Sequence, residues 1–256
     1  MTSGSTRGRD RQVAAAALGV VALTLGLAPL GLIAALPWSL SAATMNVLWV
    51  SLITVSLAVV VAAPIGVGAA IYLEEYRRED AAGRLLGAVA RLLADLPAVL
   101  FGLVGLELYL QTGGRFGVAA ACLALSLWVA PRIIVTTRTA LRGVPPSLRE
   151  TGLALGASRW RVTRALVVPA AARGVAAAVL RATARAFGEA APLVFVAAAV
   201  GRVDPTAPVE RASASLQIFA WLRADNTWLW EQAAALGAAL LGLVLALNWL
   251  AARVAR

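Results

Sequence analysis

Residues 150–169 read E-T-G-L-A-L-G-A-S-R-W-R-V-T-R-A-L-V-V-P. The stretch is polar and arginine-rich, and strongly apolar runs flank it on both sides. Glycines stand at Gly152 and Gly156, and Pro169 follows the second after thirteen positions. This punctuation predicts two short helices meeting at Gly156. Pro146 or Ser147 starts the first, with Glu150 in its opening turn, where the helix dipole favours an acid. Gly156 ends it, because glycine takes the left-handed cap conformation without steric penalty. Ser158 caps a second helix over residues 159–167, and Pro169 marks the start of the next apolar run. The plainer reading is a basic amphipathic loop resting on anionic lipid through Arg159, Arg161 and Arg164. Such a loop has no need of a fixed glycine-to-proline interval.

The apolar surroundings set the class. Of 256 residues, 61% are hydrophobic, and the mean hydropathy is +0.81, whereas soluble domains sit near 45–50% apolar. Several runs reach the ~20 residues that cross a bilayer core. The expected fold is therefore an all-α integral membrane bundle of about six spans, at residues 13–36, 47–73, 85–110, 117–135, 174–200 and 228–251. A polar tail over 1–12 precedes a single membrane domain over 13–256, with the cytoplasmic loop at 136–169. The fourth run is read as broken by Pro131, residues 74–84 as a charged loop and 201–227 as a mixed-charge loop.

The net charge is +10, and every one of the 23 basic residues is arginine. With neither lysine nor histidine in the chain, a Walker-type ATPase, a Schiff-base lysine, a Ser-His nucleophile and a His-based zinc site are all ruled out. The lone Cys122 leaves no intrachain disulfide. The arginines lie mostly in loops, which argues for topology rather than nucleic acid. With the N-terminus inside, fourteen loop and tail arginines fall inside, and only Arg115, Arg202, Arg211 and Arg223 fall outside. Both termini and residues 150–169 are thereby expected in the cytoplasm.

Two sets of charges lie inside apolar runs. Arg91 and Asp95 are four apart and can pair on a helix face. Arg181, Arg185 and Glu189 are each four apart, which predicts one stripe over two turns of the fifth span. Charge at membrane depth is costly unless paired or hydrated, and the guanidinium fork matches tetrahedral oxyanions. The stripe therefore reads as the lining of an anion path, with Glu189 pairing Arg185 when no anion is bound. A structural ion pair between spans is the competing reading.

The loop resembles the cytoplasmic loop of ABC-importer permeases, written E-A-A, three residues, Gly, nine residues, Ile-x-Leu-Pro. Glu150 fills the acidic position, Thr151 and Gly152 replace the alanines, and Gly156 is the glycine, with Ala157 beside it. Leu166 and Val168 fill the Ile and Leu positions, and Pro169 the proline. Residues 185–193, R-A-F-G-E-A-A-P-L, are similar to the R-A-x-G-E-T-A-P-L signature of phosphate-importer permeases of the PstA type, with Ala190 for Thr. Y-L-E-E-Y at 72–76, L-P-A-V-L-F-G at 96–102 and A-P-R-I-I-V-T-T-R-T-A-L-R-G-V-P at 130–145 extend the likeness over about residues 48–192. Thr139 stands where that family has Glu, and Val135 or Thr136 lies near its Arg.

The resemblance implies a type I ABC importer, MetI-like fold and alternating access. It implies a PstC-like second permease, a PstB-like ATPase dimer holding the ATP and Mg, and an extracytoplasmic phosphate-binding protein. On this reading the chain itself binds no cofactor, and it is no enzyme. Glu150, Thr151, Gly152, Gly156, Ala157 and Pro169 would couple to the ATPase, and Arg181, Arg185 and Glu189 would line the substrate path. A permease for molybdate, tungstate, sulfate or a phosphonate shares the loop and differs at the charged span. An intramembrane hydrolase would need a nucleophile–base pair or a metal cluster around Asp95 or Glu189, and a stand-alone channel would need no ATPase.

Overall fold

The computed structural model describes residues 41–78, 80–111, 113, 117–203 and 213–255. The polar tail, the first expected span and residues 204–212 lie outside them. Within the described residues every regular element is helical. Backbone groups in lipid must bond within their own segment, and a helix does this.

Helix α1 (Ala42–Glu75) starts at Ser41, whose Oγ accepts from the Thr44 N–H at 3.2 Å. At 1.5 Å per residue its 34 residues span about 50 Å, well beyond a ~30 Å hydrocarbon core. Its last turn, with Glu74 and Glu75, belongs to the helix, not to a charged loop as the sequence suggested.

The expected third span is two helices, α2 (Ala81–Asp95) and α3 (Ala98–Gln111), bent by 92°. Pro97 explains the break: it has no N–H to donate, and it drives Leu96 to extended geometry (φ −61°, ψ 142°). No ion pair joins Arg91 to Asp95 among the described residues.

Helix α4 (Gly117–Arg142) runs on through Pro131. One missing backbone bond is tolerated inside a membrane helix bundle, so the expected interruption there does not occur. Helix α4 is the hub of the fold: α1, α2 and α3 pack on it.

Next come α5 (Pro146–Ala154), α6 (Arg159–Val162) and a π turn at Thr163–Val167, which leads into α7 (Val168–Gly188). The Val168 N–H reaches back to the Thr163 carbonyl. Pro169 cannot donate to the carbonyl four residues before it and would press its ring against it, and the wider turn relieves both problems. From Arg159 to Gly188 the chain is one rod of 30 residues.

The rod ends early. Glu189 is extended (φ −95°, ψ 116°), and α8 (Ala191–Val203) starts afresh. The ring of Pro192 would meet the Gly188 carbonyl in a continuing helix. The expected stripe of Arg181, Arg185 and Glu189 is therefore broken after its second member. Finally α9 (Ala214–Leu222) forms where a loop was expected, and α10 (Thr227–Val254) closes the bundle. Besides α1–α3, α7 and α8 also pack on α4, and α10 packs on α7.

Four helical stretches among the described residues are long and apolar enough to cross a membrane, or five if the bent pair counts as one span. Their core is built on α4 around Trp128, Leu125, Val129 and Ile133, packed with Leu52, Val55 and Val59 of α1 and Val179 and Leu180 of α7. Small and hydroxylic residues bring the helices together, as expected where lipid gives no hydrophobic drive between them. Ser126 donates to the Ala58 carbonyl at 3.0 Å, and Thr44 to Oε1 of Gln232 at 2.6 Å.

Candidate functional site

The turn at Gly156 forms as its residues predict, but the second helix is not a separate short one over 159–167: it runs through the π turn into α7 as one rod. Gly156 adopts φ +76°, donates to the Leu153 carbonyl at 2.9 Å, and is followed by Ala157, which donates to the Gly152 carbonyl at 3.2 Å. These two bonds make a Schellman cap on α5. The Oγ of Ser158 caps α6 through the Arg161 N–H at 3.4 Å. Gly152 faces inward, and a methyl group there would lie 2.9 Å from both Leu166 and Val162. Its lack of a side chain lets α5 lie against the rod. Glu150 falls just past the first turn of α5, which contains no acid. Glu150 and Thr151 are exposed, Leu155 is 82% exposed and Trp160 61%. The knob thus presents three large apolar groups, Leu153, Leu155 and Trp160, among Arg159, Arg161 and Arg164.

Sequence reasoning missed what braces the knob. Arg149 of α5 donates to both carboxylate oxygens of Glu75 at 2.8 and 3.0 Å. It also donates to the Val144 and Leu141 carbonyls at 2.8 and 2.9 Å. Glu75 raises the Arg149 guanidinium above its usual range, against the opposing pull of desolvation. One residue earlier, the Glu74 side chain is fully buried beside Arg142 at 2.9 Å, Arg138 at 3.2 Å and Arg78 at 3.5 Å. The Thr139 side chain, at the family's Glu position, donates back to the Val135 carbonyl of its own helix. The end of α1, the end of α4 and α5 are thus one ionic cluster. The signal for it was present in Y-L-E-E-Y followed by Arg138, Arg142 and Arg149, but the pairs span 64 to 74 residues.

The charged part lies at the two helix breaks, which are side by side. A methyl group on Gly102 of α3 would stand 2.7 Å from the Pro192 carbonyl of α8. Asp95 closes α2 and Glu189 follows α7. Arg181 and Arg185 are both exposed on α7, one turn apart. Arg185 and Glu189 do not pair as expected. Oε1 of Glu189 instead accepts from the Ala191 N–H at 3.2 Å and caps α8. Arg132 of α4, which sequence reasoning passed over, lies within Coulombic reach of Arg185, Glu189 and Asp95. Its guanidinium sits 4.2 Å from the centroid of the Trp128 ring.

Long apolar helices around a polar break, with a braced polar knob at one end, define the class as a multi-pass helical membrane protein. The family profile described as binding-protein-dependent transport system inner membrane component matches residues 27–256, and the chain belongs to that family.

Among curated relatives, the phosphate transport system permease protein PstA of Yersinia pestis is 33% identical over 197 residues, covering 76% of this chain and 66% of the relative. PstA of Haemophilus influenzae is 36% identical over 153 residues, 60% of this chain and 54% of the relative. The probable ABC transporter permease protein YqgI of Bacillus subtilis is 33% identical over 135 residues, 52% and 46%. The chain thus spans about half to two thirds of the length of these relatives. A solved structure of an amino acid ABC transporter superposes with a TM-score of 0.51 at 17% identity, covering 83% of this chain and 94% of that one. This last likeness bears on the fold alone. The resemblance to PstA-type permeases and the MetI-like all-α fold are borne out.

Proposed function

We propose that this chain is the transmembrane permease subunit of an ATP-driven importer for inorganic phosphate. One observation carries the reading. The R-A-F-G-E-A-A-P-L stretch falls at the break after α7, where two arginines and two carboxylates gather beside a second helix break. Interrupted membrane helices that leave charge near the bilayer interior are a recurrent way to build an ion pathway. The names carried by the PstA relatives support phosphate as the cargo.

In this reading both termini are cytoplasmic, and residues 13–256 form the membrane domain. A PstC-like permease completes the pore, a PstB-like ATPase dimer grips the knob, and an extracytoplasmic phosphate-binding protein delivers the anion. ATP and Mg stay on the ATPase. This chain binds no cofactor, contacts no nucleic acid and catalyses no reaction. Glu150, Thr151, Gly152, Gly156, Ala157 and Pro169 build the coupling element, and Arg181, Arg185 and Glu189 serve the path.

The rod gives a mechanical link. Arg185 lies 26 residues beyond Arg159 in the rod, or about 40 Å. A tilt of about 5° at the knob then moves Arg185 by roughly 3 Å. The test is uptake of labelled phosphate by the reconstituted complex with competing oxyanions. Phosphate alone should compete fully, and equal displacement by sulfate or molybdate overturns the substrate assignment.

A further inference from the structure

We propose that Arg132 and Arg185 together form a two-guanidinium clamp that takes a tetrahedral oxyanion, with Arg132 held in place by the face of Trp128. The proposal rests on the transport reading above and adds residues of its own to it.

Arg132 is half-buried in the interior of α4. A guanidinium stacked on a ring is held through its face, so the stack uses none of its five N–H donors. Among the described residues a single bond, from Nη1 to the Trp128 carbonyl at 3.4 Å, engages the fork. Trp128 is 1% exposed and packed among Leu125, Val129 and Ile133. Its indole N–H has no partner among the described residues, and the ring serves here by packing and stacking. Arg132 is thus a preorganised donor group with most of its donors unspent.

The arginines nearer the end of α4 and on α5 differ from it, because their donors are spent on carboxylates. Arg138, Arg142 and Arg149 each rest on a carboxylate. Neither Arg132 nor Arg185 has one at ion-pair distance among the described residues. Helices α4 and α7 pack on one another, so the fold sets two like charges on neighbouring helices without pairing either directly. Such an arrangement favours a multiply charged anion over any neutral guest. Asp95 and Glu189 stand nearby as the neutralising charges, one at each helix break. With two positive and two negative groups the site is neutral when empty, which keeps an anion's stay short, as conduction requires. Forked donors select tetrahedral oxyanions, with their several acceptor oxygens, over halide.

The experiment is uptake of labelled inorganic phosphate by the complete complex in proteoliposomes, with assembly followed by co-purification of the ATPase. Arg132→Gln should assemble normally and lower uptake about tenfold or more, the loss of one charge-assisted forked contact. Arg132→Lys keeps the charge without the fork and should fall in between. Trp128→Leu should reproduce the Arg132→Gln defect, whereas Trp128→Phe, which keeps a ring face, should retain more uptake. If Arg185→Ala abolishes uptake while Arg132→Gln and Arg132→Lys stay within about twofold of wild type, the clamp is wrong and the pathway reading survives. Full uptake in the Arg185 and Arg132 variants alike overturns both. Should Arg132→Gln fail to assemble, Arg132→Lys decides alone, and uptake within about twofold of wild type refutes the clamp.

Discussion

Replacing Arg138 with methionine should destabilise the protein far more than replacing Arg142, although both contact the same carboxylate. The Glu74 side chain is 0% exposed, and that of Arg138 is 9%, against 48% for Arg142 and 55% for Arg78. Arg142 and Arg78 can return to water when Glu74 is lost, and exposed pairs contribute only about 0–1 kcal/mol. Arg138 and Glu74 have both left water, and removing one partner of such a pair costs about 3–5 kcal/mol. Arg138→Met leaves Arg142 still beside the carboxylate, which places it near the lower end of that range. At about 2–4 °C per kcal/mol for a chain of this size, Arg138→Met should lower the unfolding midpoint by about 6–12 °C. Arg142→Met should lower it by less than about 4 °C on the same scale.

The double variant Glu74→Leu/Arg138→Met removes both buried charges and should recover most of the loss, because a packed apolar pair replaces an ion pair at little cost. A methyl group on Gly87 would collide with Nη1 of Arg138. Gly87→Ala should therefore destabilise the native chain and do little in the Arg138→Met background. The assay is thermal unfolding of the purified protein in detergent, followed by tryptophan fluorescence. Equal shifts for Arg138→Met and Arg142→Met, or a double variant no better than the single, would refute the reasoning.

Gly156→Ala should cost about 1–2 kcal/mol, from the left-handed backbone alone, since nothing lies within 4 Å of the added methyl; a midpoint unchanged in thermal unfolding would count against the cap. Gly156→Asp should leave the protein in the membrane but abolish ATP-driven uptake, read by fractionation and transport in the same cells. Arg185→Ala should cut anion uptake while the ATPase still co-purifies. Arg149→Met should leave α5 folded but loosen it from α1, so that more ATP is hydrolysed per phosphate moved; an unchanged ratio sinks that role. Asp80 caps α2, and Arg77, helped by the Gly83 N–H, lowers its carboxyl below the usual range. A lowered value means the charged cap is complete at neutral pH and is lost only on acidification through that value. Hydrogen exchange in the first turn of α2, corrected for intrinsic rates, should thus stay flat down to about pH 4 and rise below it.

What was legible in the sequence was local. Gly156, Ser158 and Pro169 carry enough backbone chemistry to place the knob, because cap and turn preferences act over four or five residues. The helix breaks were written there too, in Pro97 and Pro192, but an unbroken apolar run hides a bend. The four-residue spacing of Arg185 and Glu189 implies a shared face only while the helix continues, and it stops at Gly188. The short helix Ala214–Leu222 was lost in a mixed-charge segment for the opposite reason, since its apolar face is brief. The Glu74 and Glu75 clusters were beyond reach, because their partners approach only when α1 lies along α4.

These placements explain why so many charged contacts sit at one end of the molecule. On the proposed coupling role, a force applied at Leu155 and Trp160 would have two outlets. Gly152 seats α5 against Leu166 and Val162, which belong to the rod that continues into α7. Arg149 joins α5 to Glu75 at the end of α1. Helices α1 and α7 both pack on α4, so on the proposed role α4 would be pressed from two sides when the knob moves. The proposed clamp takes Arg132 from α4 and Arg185 from α7. Shear between those two helices alters the spacing of the guanidinium groups directly, with no further element needed to relay it. A rigid brace at the knob and a break beyond Arg185 then follow from one requirement. On the proposed coupling, motion must reach the clamp undiminished, and the extended residue at Glu189 would free α8 from following the rod beyond it.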